Sequence, residues 1–345
     1  MSGALTEITE LATALGTTSS SLDAGIRRRP GALRVPDDAW RRLQAAHDAG
    51  EHPTSFQTAF ANGQAFLHAA DGLRGRPPRL VEWRGPHRPP GDDVIPADLR
   101  IDHVYLVSCK YLSKVLLNAS PSRLFDRALV GDERQGSNWF TETAPAEITA
   151  LYTAAVDWSG LDLPERYADL TRDQQQALRA ALPSRSLPEP LRPMWADLSA
   201  RVATESAARW SASLGSPRAR LRLLWRMLRV SSTAYFVLGT AKDQHLRMRI
   251  ASQWDWTQDH ELRDLSLAPR PAGQPEVAWT ASVRPRCGGA EQLVRGHVEV
   301  RWSHGRFVGA PEAKVYLDTP YDQVPGIHHL DAGDGQMALS LPPTR

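Results

Sequence analysis

Four successive helical patterns in the middle of the chain, with β-type runs on both sides, restrict the fold more than any other feature. The helical patterns are Pro145–Val156, Thr171–Leu182, Pro193–Ser213 and Pro217–Val230. Before them come Arg79–Arg84, Asp98–Ile101 and Val104–Leu112, which read as strands. After them come Ser232–Gly239, Leu246–Ala251, Leu262–Leu267, Val277–Val283, Val294–Trp302 and Lys314–Leu317. Helices gathered into one block between groups of strands predict an α+β fold. No internal repeat breaks this order.

Composition narrows the class. A chain of 345 residues makes one large domain or two ordinary ones at roughly 100–200 residues each. Apolar residues are 41% and charged residues 23%, enough for a core and outside the range of disordered chains. No run reaches the ~18–20 apolar residues of a membrane span. The first residues, MSGALTEITELATALGTTSSS, are acidic where a secretory leader is basic. Two cysteines, Cys109 and Cys287, exclude a disulfide framework and a four-cysteine zinc site. The expectation is a soluble, cytoplasmic protein with no membrane partner.

Net charge is +2, but it is unevenly spread. Residues 131–200 hold six Arg against eleven Asp or Glu, while 216–250 hold eight Arg or Lys against one Asp. Within the basic stretch, Arg218, Arg222, Arg226 and Arg229 fall on one helical face, with Leu221, Leu224, Trp225 and Leu228 on another. Such a stripe can track phosphates, or it can pack against the acidic helical region. Lysine is scarce: only Lys110, Lys114, Lys242 and Lys314 occur. A lysine amid so many arginines suits a place that wants a compact point charge.

The expected organisation begins with a loosely attached arm, 1–36. Asp37 or Asp38 then caps a helix through Ala46. A second helix starts near Thr54 or Ser55, with Phe56, Ala59, Phe60, Phe66, Leu67 and Ala70 at helical spacing. Ser120-Pro121 opens a helix to about Val130. A loose tail, 325–345, is expected to close the chain.

The segment Pro96-Ala97-Asp98-Leu99-Arg100-Ile101, followed by Val107-Ser108-Cys109-Lys110, resembles the active-site hairpin of the PD-(D/E)xK nuclease superfamily. The order helix, three strands, helix over 54–130 resembles its core. The resemblance implies a restriction-endonuclease-like αβββα core over 37–130, a helical insertion over 131–231, and a β-rich region over 232–324 completing the core or serving recognition. It further implies a DNA endonuclease of restriction or phage-defence type, dependent on Mg²⁺ or Mn²⁺. Double-stranded DNA is its expected partner, with a homodimer or defence-complex subunits as further partners. Asp98 would be a metal ligand and Lys110 the catalytic lysine, with Ser108 in the place of the usual Asp or Glu. Some restriction enzymes of this superfamily show a similar Ser-x-Lys and draw the missing carboxylate from the following helix. Asp126 on the helix after the hairpin and Glu82 on the strand before it are the two donors available here. Pro96 stands one residue too early for the family's Pro-Asp pair. The alternative is a non-catalytic nucleic-acid-binding or assembly subunit with a degenerate nuclease fold, and a third reading makes the hairpin match accidental.

Strand geometry adds a condition. Ser108 and Lys110, two apart, share a sheet face, and Cys109 points to the other, toward a core. Asp98 faces the same way only with a three-residue loop, Asp102-His103-Val104, or a bulge; a two-residue turn at Asp102-His103 puts it on the opposite face. Asp102 is the rival acid, but six strand residues place it about 20 Å from Ser108. A second match, Pro311-Glu312-Ala313-Lys314 after the strand holding Glu299, spells an intact Glu-x-Lys. Its other reading is alternating charge on a surface strand. His297, His304, His328 and His329 lack zinc spacing, no phosphate-binding glycine loop occurs, and Trp254 and Trp256 read as core on a turn or strand.

Overall fold

Strand pairing and packing, rather than chain order, sort this protein into two units. The computed structural model describes residues 3–85, 97–111, 116–121, 124, 138–183, 186–241, 244–271 and 273–330. Among them are ten α-helices and two sheets. The first unit combines residues 1–113, 230–256 and 326–345, and the second 114–229 and 257–325.

The first unit opens with helices α1 (Gly3–Thr18), α2 (Leu22–Arg28), α3 (Asp37–Asp48) and α4 (Pro53–His68). Its sheet holds β1 (Leu33–Arg34), β2 (Val81–Trp83), β3 (Leu99–Ile101), β4 (Tyr105–Tyr111), β6 (Tyr235–Ala241), β7 (Gln244–Ile250) and β12 (Ile327–His329), side by side in that order. β2, β3 and β4 form an antiparallel meander. β6 then lies parallel to β4, with Val107 opposite Phe236 and Lys110 opposite Gly239. A parallel neighbour needs a crossover, and the whole stretch between β4 and β6 supplies it. Alternation fixes the faces: Val107, Cys109 and Tyr111 of β4 join Leu99, Ile101, Phe236 and Leu238 in one core with Leu11, Leu15, Phe56 and Phe66 of α1 and α4.

Residues 3–34 are therefore not a loose arm. Leu11, Ala12, Ala14 and Leu15 have no exposed surface. A Cβ at Gly16 would lie 2.2 Å from the Phe60 carbonyl oxygen, and one at Gly63 would lie 2.1 Å from that of Thr13. Two glycines thus let α1 and α4 touch backbone to backbone, a contact between segments too far apart for sequence spacing to reveal. The expected tail is also partly ordered, because β12 pairs antiparallel with β7.

The second unit contains α5 (Trp139–Thr143), α6 (Pro145–Ser159), α7 (Arg172–Ala181), α8 (Arg192–Ala212) and α9 (Pro217–Leu228). Its antiparallel sheet is ordered β5 (Leu117–Ala119), β11 (Glu312–Leu317), β10 (Gln292–Arg301), β9 (Pro275–Pro285) and β8 (His260–Pro271). Val277, Trp279, Ala281 and Val283 alternate along β9 into the core, and α8 packs on β8 and β9. Helices 139–228 and the late strands thus share one unit. The units change at 114, 230, 257 and 326, against boundaries expected at 131, 232 and 325; the additional change at 257 arises because β6 and β7 pair into the first sheet and β8 to β11 into the second.

Helix α10 (Gln253–Asp259) holds Trp254 and Trp256, where a turn or strand is expected. Ser252 Oγ accepts the Asp255 N–H at 3.1 Å, a cap that outweighs the local alternation. Trp256 is buried and Trp254 exposed.

Candidate active site

The hairpin β3–β4 meets the geometric condition. Ile101 pairs with Tyr105 and Leu99 with Val107, so the turn is Asp102-His103-Val104. Asp102 and His103 both take positive φ, 48° and 62°. Asp102 Oδ1 accepts the N–H groups of Arg79 and Leu80 at 2.8 and 2.9 Å. The rival acid is thereby committed to holding the turn against the start of β2.

One step beyond Leu99 and Val107, Asp98 faces Ser108. The Asp98 Oδ2 accepts the Cys109 N–H at 2.6 Å and the Ser108 hydroxyl at 3.4 Å. Asp98 is 7% exposed and Ser108 fully buried. Lys110 lies two residues on and is half-buried. Its strand partner is Gly239, where a Cβ would meet the Lys110 carbonyl oxygen at 1.8 Å. Glycine is needed there for the two backbones to approach.

Glu82 sits elsewhere in the network. It pairs by register with Arg100, which donates to it through Nε and Nη2 at 2.6 and 2.9 Å. That fork, with smaller help from His103 and Arg84, holds the Glu82 carboxyl below its ordinary range. Asp126 and most of the helix expected after Ser120-Pro121 lie outside the described residues.

Glu10 on α1 is the acid that sequence reading missed. It is buried, and its Oε2 accepts the Trp83 indole N–H at 2.6 Å. Burial first, then the charges of Asp98 and Glu10, pushes the Cys109 thiol well up. Two buried carboxylates thus act on the same thiol, one from the residue before β3 and one from α1. The only signal for Glu10 in the sequence was an acid within an apolar helix, TEITELATAL, and that pattern also suits an exposed charge. No group of three or more His, Cys, Asp or Glu able to hold a metal ion occurs among the described residues.

The other motifs separate from this hairpin. Glu299, Glu312 and Lys314 lie on β10 and β11 of the second unit, where Glu299 faces both Lys314 and Glu276 across the strands. Glu299 takes a hydrogen bond from the Tyr316 hydroxyl at 3.1 Å. Burial, aided by Glu299, pushes that phenol up to about 12. Arg218 and Arg222 are exposed on α9, whereas Arg226 and Arg229 are half-buried. Arg229 stands beyond the helix end with φ 59°, so the stripe does not continue through it.

No family model, curated protein or solved structure matches this chain.

Proposed function

We propose that the protein is a metal-dependent DNA endonuclease, cytoplasmic, cleaving phosphodiester bonds in double-stranded DNA, with a nuclease core of the restriction-endonuclease kind in its first unit. The observation that carries this reading is Asp98 facing Ser108 on a hairpin that presents Lys110 two residues on. Helix α4, the meander β2–β4 and the parallel strand β6 give the element order in which such a hairpin is expected.

Mg²⁺ and Mn²⁺ take hard oxygen ligands, with Mg²⁺ held by one or two carboxylates beside retained waters and phosphate oxygens. Asp98 would be the residue to hold the ion on the face of Ser108 and Lys110, whereas Glu10 belongs to α1, which packs on the Cys109 face. Bound there, the ion would neutralise phosphate charge and lower the pKa of a water. Lys110 would orient that water or offset charge on the phosphorane. Ser108, a neutral hydroxyl, would position Asp98.

The test is cleavage of duplex DNA with Mg²⁺ or Mn²⁺. Lys110→Ala is expected to abolish cutting with an unchanged circular dichroism spectrum. Undiminished cleavage by that variant would remove the assignment. A second reading, a non-catalytic nucleic-acid-binding subunit, is favoured by one observation: Asp98 Oδ2 already takes two hydrogen bonds from its own hairpin. DNA binding without cleavage under any metal would select it.

A further inference from the structure

We propose that a cavity in the second unit binds a nucleotide, its phosphate held by Arg179, Arg301 and Arg306 and its base laid against Trp195. The cavity has a volume of about 360 Å³, inside the ~300–1,000 Å³ range of small-molecule sites. Three arginines and two tryptophans, Trp195 and Trp302, line it, and its lining includes no acidic side chain among the described residues.

Among the described residues, each arginine has donors to spare. Arg306 donates to the Pro183 carbonyl at 2.8 Å, and burial alone lowers its pKa. A guanidinium does not give up its proton in a protein, so the half-buried Arg306 keeps a charge that an anion can pair. Arg301 Nη1 reaches Glu299 at 3.3 Å, but its Nε is buried with no hydrogen-bond partner among the described residues. Buried donors are normally satisfied, and an exception points to a missing partner. Arg179 Nη1 bonds the Gln176 side chain at 3.3 Å. Its stem passes over Gly305, where φ is +105° and a Cβ would lie 2.6 Å from Arg179 Nε. A glycine at that position keeps room for the arginine.

The aromatic wall is what selects a nucleotide over a bare anion. Trp195 and Trp302 lie 28° from parallel with centroids 6.1 Å apart. Trp195 is half-buried and fixed by its indole N–H to the Gly273 carbonyl at 2.9 Å. Trp302 is fixed by its own N–H to the Tyr167 hydroxyl at 3.3 Å and by Phe140 edge-on. An anchored indole gives a base a stacking surface that needs no ordering, arginine forks match phosphate oxygens, and Gln274 adds an amide that can donate to and accept from a base edge. The same chemistry is offered by a free nucleotide and by one nucleotide of a single strand.

The test uses the full-length protein without divalent metal, so that it is independent of cleavage in the first unit. Calorimetric titration compares thymidine monophosphate, inorganic phosphate and a short oligothymidylate. Thymidine monophosphate is expected to bind at least about tenfold more tightly than phosphate, the size of one stacking contact. Arg306→Gln and Trp195→Leu should each weaken it by about tenfold or more, while Lys110→Ala leaves it unchanged. Tighter binding of the oligothymidylate than of the monophosphate assigns the site to a strand, and equal binding assigns it to the free nucleotide. Phosphate binding as tightly as the nucleotide, no binding, or binding indifferent to both cavity variants would overturn the proposal. If Trp195→Leu fails to fold, Arg306→Gln alone decides.

Discussion

At the residue scale, Asp98 has two separable jobs. Its Oδ2 satisfies the buried Cys109 N–H, and in the proposed enzyme it also holds the ion. Asp98→Ala strips the acceptor and should cost about 1–3 kcal/mol of stability. Asp98→Asn keeps an acceptor oxygen, so it should unfold at nearly the wild-type denaturant midpoint while losing metal-dependent cleavage. Equal destabilisation by both would show that the charge itself holds the hairpin. Glu82 is tied to Arg100, and its carboxyl is lowered from the ordinary 4.5. A depressed folded-state pKa contributes stability above 4.5 and loses it as pH falls through the folded value. Both side chains are partly exposed, 26% and 34%, so solvent screening leaves less than about 1 kcal/mol. Arg100→Gln should therefore lower the melting temperature slightly at pH 6, and the difference from wild type should shrink as pH falls through the folded-state value of Glu82. A carbon-detected NMR titration of Glu82 should show its midpoint rise in the variant.

At the element scale, the α1–α4 crossing brings two helix backbones into direct contact. Adding one methyl at Gly63 aims it at the Thr13 carbonyl oxygen, and overpacking of this kind costs about 1–3 kcal/mol or more. Gly63→Ala should lower the melting temperature by several degrees, whereas Gly31→Ala, whose Cβ meets nothing within 4 Å, should stay within about 0.5 kcal/mol of wild type. Equal behaviour of the two variants would mean the helices part at no cost. Helix α4 was legible from its apolar spacing. Its contact with α1 was not, because a glycine at a helix crossing looks in sequence like any helix-weakening glycine.

At the scale of the whole molecule, a net charge of +2 hides segments of opposite sign, and tertiary structure decides which charges stay available. On α9, Arg220 is spent on Asp264 at 3.1 Å, while Arg218 and Arg222 remain exposed. DNA affinity should fall steeply with salt, and Arg218→Glu with Arg222→Glu should flatten the slope by about one phosphate contact each. An unchanged slope would make α9 structural. The sequence by itself determined the local elements: strands at 79–84, 98–101 and 104–112, the middle helices, and the late β-rich run all appear close to their expected places. Alternation and helical spacing are properties of neighbouring residues, so a sequence displays them directly. It also determined that a two-residue turn could not bring Asp98 to Ser108, so that a three-residue loop or a bulge was required, because a strand has a period of two. Tertiary structure alone decided what packs with what. It drew residues 3–34 into the core, gave β6 and β7 to one sheet and β8 to β11 to another, tied Glu82 to Arg100, and brought Glu10 from α1 close enough to act on Cys109 beside Asp98. It also gathered Arg179, Arg301 and Arg306 around one cavity. Those outcomes depend on contacts between residues tens to hundreds of positions apart, chosen by burial and close packing over the whole chain, and no local pattern records them.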